Sequence, residues 1–267
     1  MSWRCCWLGW CCTLLLSSGQ VAATGVLPAA EQPCVLVAHL NESADNVAGQ
    51  QTQLPRWFDL HRRLLLLLTD TAGCHLRVVG SPWPRSLALL KQGQIDLMLT
   101  MSYTEQRNQF ADFIGVHYLE ESVLVLRKDL VAQVKQLADI RFLPGQIGVL
   151  RDAYYGEQFA KLAQDKQIQP FLLYANSLTQ KLNMLKKQRV LGMIEDKTQF
   201  LEWSRREPAL AADYQIAFIL HQAPVYIVAS RRSVPAPVRQ KLHQAWQQVY
   251  AGQQHLAILA EFGWSLP

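Results

Sequence analysis

From Cys34 onward, short apolar runs of strand length alternate with longer stretches of helical periodicity. The strand-like runs fall at 35–39, 75–79, 95–100, 123–127, 146–149, 171–174, 190–194, 215–220 and 225–229. Helical patterns fill 56–71, 84–92, 131–140, 155–165, 177–187, 196–205, 236–251 and 254–262. Such alternation builds βαβ units, in which parallel sheets are covered by helices on both faces. Gly93 reads as a helix stop, and Ser177 and Asp196 as N-caps. So many elements exceed one sheet of ordinary size. We therefore expect an α/β fold of two lobes, each a mostly parallel sheet flanked by helices. Residues 24–120 with 222–267 form the first lobe in this reading, and 121–221 the second. The chain leaves the first lobe and returns to it. Tyr118, Glu120 and Glu121 fall at the first crossing and 221–224 at the second. Open α/β sheets bind ligands beyond the carboxyl ends of their strands, so the cleft between the lobes is the expected site.

Residues 1–23 read as an export signal. Arg4 supplies the positive start, and Trp7 to Leu16 is apolar or small throughout. That run is far shorter than the ~20 residues that span a bilayer. Val21 and Ala23 give small residues ahead of a cut placed after Ala23. No cysteine stands where a lipid-attachment box needs one, so a soluble exported chain is expected, with an amphipathic first helix or membrane anchor as the alternative. Four of the six cysteines lie in the signal, leaving Cys34 and Cys74. Each precedes a strand-like run. If those strands are parallel neighbours, the two thiols share one end of the sheet, and an oxidising compartment favours a disulfide over two buried free thiols.

The chemistry-bearing motifs are few. The chain has no G-x-S-x-G, H-E-x-x-H, Walker or G-x-G-x-x-G pattern. Seven dispersed histidines show no metal-ligand spacing. We expect no metal, no cofactor and no catalysis. The net charge of +5 arises from scattered residues and does not point to nucleic acid. A monomer that takes a small-molecule partner is the expectation.

One segment stands out. Leu90 to Arg107 reads as a helix end, the Gly93 stop, a strand, and a hydroxyl-rich turn carrying Thr100, Ser102 and Thr104 before Arg107. Backbone N–H groups and hydroxyls in such a turn attract an anion. Arg107 adds a planar fork suited to a carboxylate. The segment reads either as a carboxylate-binding corner or as a capped surface turn. The turn 81–85 follows another strand-like run and should lie at the cleft edge. There Trp83 is a candidate pocket wall and Arg85 a candidate contact, against a hydrophobic staple and a solvated arginine.

These residues resemble the family 3 extracellular solute-binding proteins, the periplasmic receptors of polar amino acid ABC transporters. The resemblance rests on Trp83, Leu87, Leu90-x-x-Gly93-x-Ile95-Asp96, Ser102-x-Thr104-Glu105-x-Arg107, Asp112-Phe113 and Tyr118. It continues through Leu185-x-x-x-Arg189-Val190 to Asp196, then Arg231-Arg232 and Phe262-Gly263. It implies a two-lobe periplasmic binding protein of type II that closes on its solute. Arg107, with Ser102 and Thr100 beside it, would clamp the solute's α-carboxylate. Asp196, otherwise a plain helix cap, would take the α-ammonium from the other lobe. A membrane permease or a sensor would be the partner. The family also includes cyclohexadienyl dehydratases, so an enzyme using Glu195, Asp196 or His117 as its acid is the alternative, as is an orphan regulatory binder. Two departures matter. Residues 40–46 lack the aromatic wall common in the family. After the first strand of the second lobe, Arg151, Asp152, Ala153 and Tyr154 replace the usual Gly-Ser/Thr turn, which makes Arg151 a candidate for a different ligand group.

Overall fold

A computed structural model describes residues 33–41 and 56–262. The expected export signal, residues 42–46 of the departure noted above, and Gly263 lie outside the described residues. The described chain runs β1 (Val35–Asn41), α1 (Arg56–Thr71), β2 (His75–Ser81), α2 (Trp83–Gln92), β3 (Leu97–Ser102), α3 (Glu105–Asn108) and β4 (Ala111–Arg127). Two 3-10 turns follow, then β5 (Ile147–Leu150), α4 (Glu157–Leu162), β6 (Leu172–Ala175), α5 (Leu178–Lys186) and β7 (Gly192–Asp196). The chain continues with α6 (Lys197–Arg206), α7 (Pro208–Ala211), β8 (Tyr214–Ser230), α8 (Ala236–Ala251) and α9 (Gln254–Phe262).

The strands join in the order β2-β1-β3-β8-β4-β7-β5-β6. β1 pairs parallel with β2 and β3, and β5 pairs parallel with β6 and β7. These two parallel units are the expected ones. They are joined by an antiparallel pair, β4 and β8, each 17 residues long and in register from Ala111–Ser230 to Arg127–Tyr214. Hydrogen bonding therefore makes one continuous sheet rather than two. The sequence reading found only 123–127 of β4 and split β8 at 221–224. The cause is visible in the register, which shifts at four places, between Phe113 and Gly115, Val116 and Tyr118, Ser122 and Val123, and Leu124 and Val125. Each bulge breaks the period-two alternation by which a strand is recognised. Pro224 sits inside β8 opposite Leu119 without ending it.

Helix α1 forms because Trp57, Phe58, Leu60, His61, Leu64, Leu65 and Leu68 make one buried face. Full burial contributes about 1.5–3 kcal/mol for each large aliphatic or aromatic side chain. Helix α2 starts with Pro84 in its first turn and stops at Gly93, whose left-handed φ of 73° lets its N–H reach Leu90 O at 3.0 Å. The helix expected at 131–140 is instead two 3-10 turns, Lys128–Gln133 and Leu137–Phe142. Asp139 accepts from the N–H groups of Lys135 and Gln136, and so caps a new turn in mid-run.

The apolar interior divides as the strands do. Leu36, Leu64, Leu97, Ile227 and Trp246 lie in one core, with Trp83, Leu90 and Met98 in a satellite on the same half. Leu124, Ile140, Ile147 and Ile194 lie in another, with Val125, Met184 and Trp203 beside it. Cys34 and Cys74 are bridged, with Cα atoms 4.6 Å apart, at the shared starting end of β1 and β2. Asp96 clips the first half together: its carboxylate accepts from Val37 N at 2.8 Å and from Ser233 Oγ at 2.6 Å.

Candidate ligand-binding site

The carboxyl end of β3 and the turn after it carry the first wall of a cavity. The β3–β8 register shifts between Met98 and Met101, and Thr100 takes a left-handed φ of 56° there. A non-glycine residue adopts such a backbone only when its surroundings enforce it, and such positions gather at functional sites. Thr104 then caps α3 by accepting from Arg107 N at 3.1 Å, which fixes Arg107 one turn into the helix. The Arg107 guanidinium is buried. It donates through Nη1 to Ser102 O at 3.0 Å and through Nη2 to Asp152 O at 2.9 Å. Asp152, in the segment after β5, is itself left-handed, with φ 60°.

The opposite wall comes from the end of β7 and the start of α6. Asp196 caps α6, its Oδ1 accepting from Gln199 N at 2.9 Å. Its Oδ2 is buried and has no hydrogen-bond partner. Glu195, one residue earlier, is ion-paired to Lys181 of α5 at 2.8 Å. Lys181 is only 1% exposed and also donates to Ile194 O at 2.7 Å. Tyr118 and Glu120 of β4 supply the floor, and Tyr155 accepts from Leu150 N at 2.9 Å behind it.

Thr100, Ser102, Arg107 and Asp196, four residues singled out from the sequence, line one cavity. Trp83 joins them while packing on Leu90 and Met98, so it is both wall and staple. Arg85 and Arg151 are not brought in. Arg85 is exposed on α2. Arg151 is drawn to the surface, where its Nε donates to Asn176 Oδ1 at 2.9 Å and its guanidinium lies over Tyr174. Lys181 and the role of Glu120 escaped the sequence reading. A lysine three and four residues before Met184 and Leu185, on the buried face of a helix, is the signal that marks Lys181.

Charge is concentrated here. Burial pushes the Glu120 carboxyl up to about 8, and the nearby carboxylates of Asp196 and Glu195 add to the effect. Burial likewise raises Asp196 to about 6, against the hydrogen bonds from Thr198 and Gln199 N. Burial draws Arg107 below its usual range, with the Glu120 carboxylate opposing. Burial also works against the charge on Lys181, but Glu195 and Tyr155 outweigh it and the net direction is upward. A cation fork on one wall and an unpartnered carboxylate oxygen on the other can hold the two ends of a zwitterion.

This fold and cavity define a two-lobe α/β binding protein of the periplasmic type II class. Over residues 60–262 the sequence matches the model of the bacterial extracellular solute-binding proteins, family 3, and the chain belongs to that family. No curated protein matches it by sequence. Among solved structures it is similar to an ancestral arginine-binding protein bound to glutamine (TM-score 0.70, 16% identity, covering 87% of this chain and 99% of that one). It is similar to a histidine kinase sensor domain that resembles periplasmic binding proteins (TM-score 0.69, 16% identity, 88% and 98%). An amino acid ABC transporter substrate-binding protein from Streptococcus pneumoniae bound to L-arginine also matches (TM-score 0.63, 16% identity, 86% and 93%). At this identity the likeness carries the fold. Among the described residues no helix is long and apolar enough to cross a membrane, and no cluster of His, Cys, Asp or Glu suits a metal.

Proposed function

We propose that the protein is an exported receptor that captures a small carboxylate-bearing solute of the amino acid kind between residues 24–120 with 222–267 and residues 121–221, without transforming it. Arg107 takes the carboxylate and Asp196 the ammonium, with Ser102 and Thr100 beside the carboxylate and Trp83 as a wall. The observation that carries this reading is the shared cavity of Arg107 and the unpartnered Asp196 Oδ2. Contacts that exist only when both halves hold the ligand give the differential affinity that drives closure. The loaded protein would then meet a membrane permease, or a sensor. The likeness to transporter receptors and to a kinase sensor domain supports both.

A thermal-shift screen of amino acids, dicarboxylates and short peptides tests the reading. Stabilisation that grows as RT ln(1 + [L]/Kd) for one solute, and vanishes in Arg107→Ala, supports it. A flat response across all classes contradicts it. A second reading, a dehydratase on the same scaffold, is favoured by Glu120, a carboxyl held in its proton-bearing form near neutral pH within the cavity. Turnover of a prephenate-like substrate by the purified protein would select it.

A further inference from the structure

The cavity carries one more carboxyl group than a neutral zwitterion requires. Among the described residues Arg107 is its one lining cation, and two of its N–H groups already serve Ser102 O and Asp152 O. Facing it are Glu120, Glu195 and Asp196. Lys181 neutralises Glu195 from behind the wall. Once the solute's carboxylate meets Arg107 and its α-ammonium meets Asp196, the Glu120 carboxylate still faces the cavity without a cation of its own.

We propose that Glu120 is a specificity-determining residue, and that the cavity takes a net-cationic diamino acid whose second nitrogen stands a short chain away from the first. The inference rests on the receptor reading above and narrows it to one solute class. The short chain follows from proximity, since Glu120 and Asp196 line one cavity and act on each other electrostatically. Asp196 Oδ2, buried and without a hydrogen-bond partner, is the group that already awaits one nitrogen. Glu120 accepts from Ser122 Oγ at 3.3 Å and retains acceptor capacity for another. The groups that act on it electrostatically are Arg107 of α3, Glu195 and Asp196 of β7, Tyr155 after β5, and Tyr118 of its own strand, whose hydroxyl is also hydrogen-bonded to it. In the empty cavity, burial first and then the neighbouring carboxylates of Asp196 and Glu195 favour a proton on Glu120. An arriving ammonium stabilises the ionised form, so the cation replaces the proton.

Calorimetric titration of the purified full chain with L-2,4-diaminobutyrate and with L-norvaline tests this. The two differ by an ammonium in place of a methyl group. The wild type should bind the diamino acid about tenfold or more tightly, the worth of one charge-assisted hydrogen bond. Glu120→Gln, which keeps the shape, should bring the ratio close to one. Near neutral pH, binding of the diamino acid should release protons, seen as an enthalpy that depends on the buffer's ionisation heat. Equal affinity for both solutes in the wild type, with binding lost in Arg107→Ala, overturns the assignment of Glu120 and leaves the receptor reading standing. Failure of both amino acids and of the wider solute panel to bind overturns both. An unchanged ratio in Glu120→Gln overturns the assignment even where the wild type discriminates.

Discussion

The Arg107 Nη2 donates to the carbonyl oxygen of Asp152 across 45 residues of sequence, at 2.9 Å. One end of that bond belongs to the α3 turn after β3, the other to the segment after β5. It ties the two parallel units of the sheet at the cavity itself. The same guanidinium is thus a latch, and in the proposed receptor it is the ligand fork as well.

Replacing Arg107 by Ala removes both functions. Charge-assisted hydrogen bonds contribute about 1.5–3 kcal/mol each, so solute affinity should fall at least 10- to 100-fold. Lys at the position keeps the charge and loses the planar fork, and should fall between wild type and Ala. Calorimetric Kd values for the three proteins check the order.

Lys181 and Glu195 form a buried pair with side chains 1% and 12% exposed. Lys181→Met strands the Glu195 carboxylate and should cost about 3–5 kcal/mol of stability. Adding Glu195→Gln should recover much of that loss, because the uncompensated charge is gone. Urea unfolding of both variants measures the difference.

The Cys34–Cys74 bridge closes a loop with a sequence separation of 40. Removing it by the double Ser variant should lower stability by up to about 4 kcal/mol if the loop-entropy account holds. Chemical denaturation with and without reductant reads this directly, and the reductant should leave the Ser variant unaffected.

Acid should destabilise the protein through its first half. His39 and His61 are buried, and burial lowers them from 6.5 to about 3 and about 4. His39 is further depressed by His61. The unfolded chain binds these protons first, so their contribution to stability is complete above about pH 6.5 and is lost as pH falls toward those values. The loss runs at about 1.4 kcal/mol per pH unit for each histidine. Glu120 and Asp196 act with the opposite sign: raised to about 8 and about 6, they penalise the folded state at high pH and relieve it as they take protons. His39→Gln should therefore flatten the decline in stability between pH 6 and pH 4 by about one proton's worth.

Much of the fold was legible where its signals are local. The α1 periodicity, the Gly93 stop and the cap at Asp196 are each decided within a few residues, and each stands where it was read. Pairing of the two cysteines followed from their matching places before neighbouring strands. β4 and β8 were legible only in part, 123–127 of the first and 215–220 with 225–229 of the second, since their register shifts break the alternation that marks a strand. The site divided in the same way. Arg107, Ser102 and Thr100 share one turn and announced themselves through its hydroxyls. Asp96 and Asp112 belong to the same sequence motif but hold structure, Asp112 by pairing with Arg239 at 2.9 Å. Glu120 acquires its importance only from tertiary proximity, whereas Lys181 was marked by its place on the buried face of its helix. Arg85 and Arg151 were singled out by residue type near the ends of strands, but sequence order does not say which side of a turn faces inward.

A crystal structure of the protein with its best-binding amino acid tests the central claim most directly. The account predicts the solute's carboxylate within hydrogen-bond reach of the Arg107 guanidinium and its α-ammonium within reach of Asp196 Oδ2. Solute bound elsewhere, or seated in the cavity with those two ends exchanged, would contradict it.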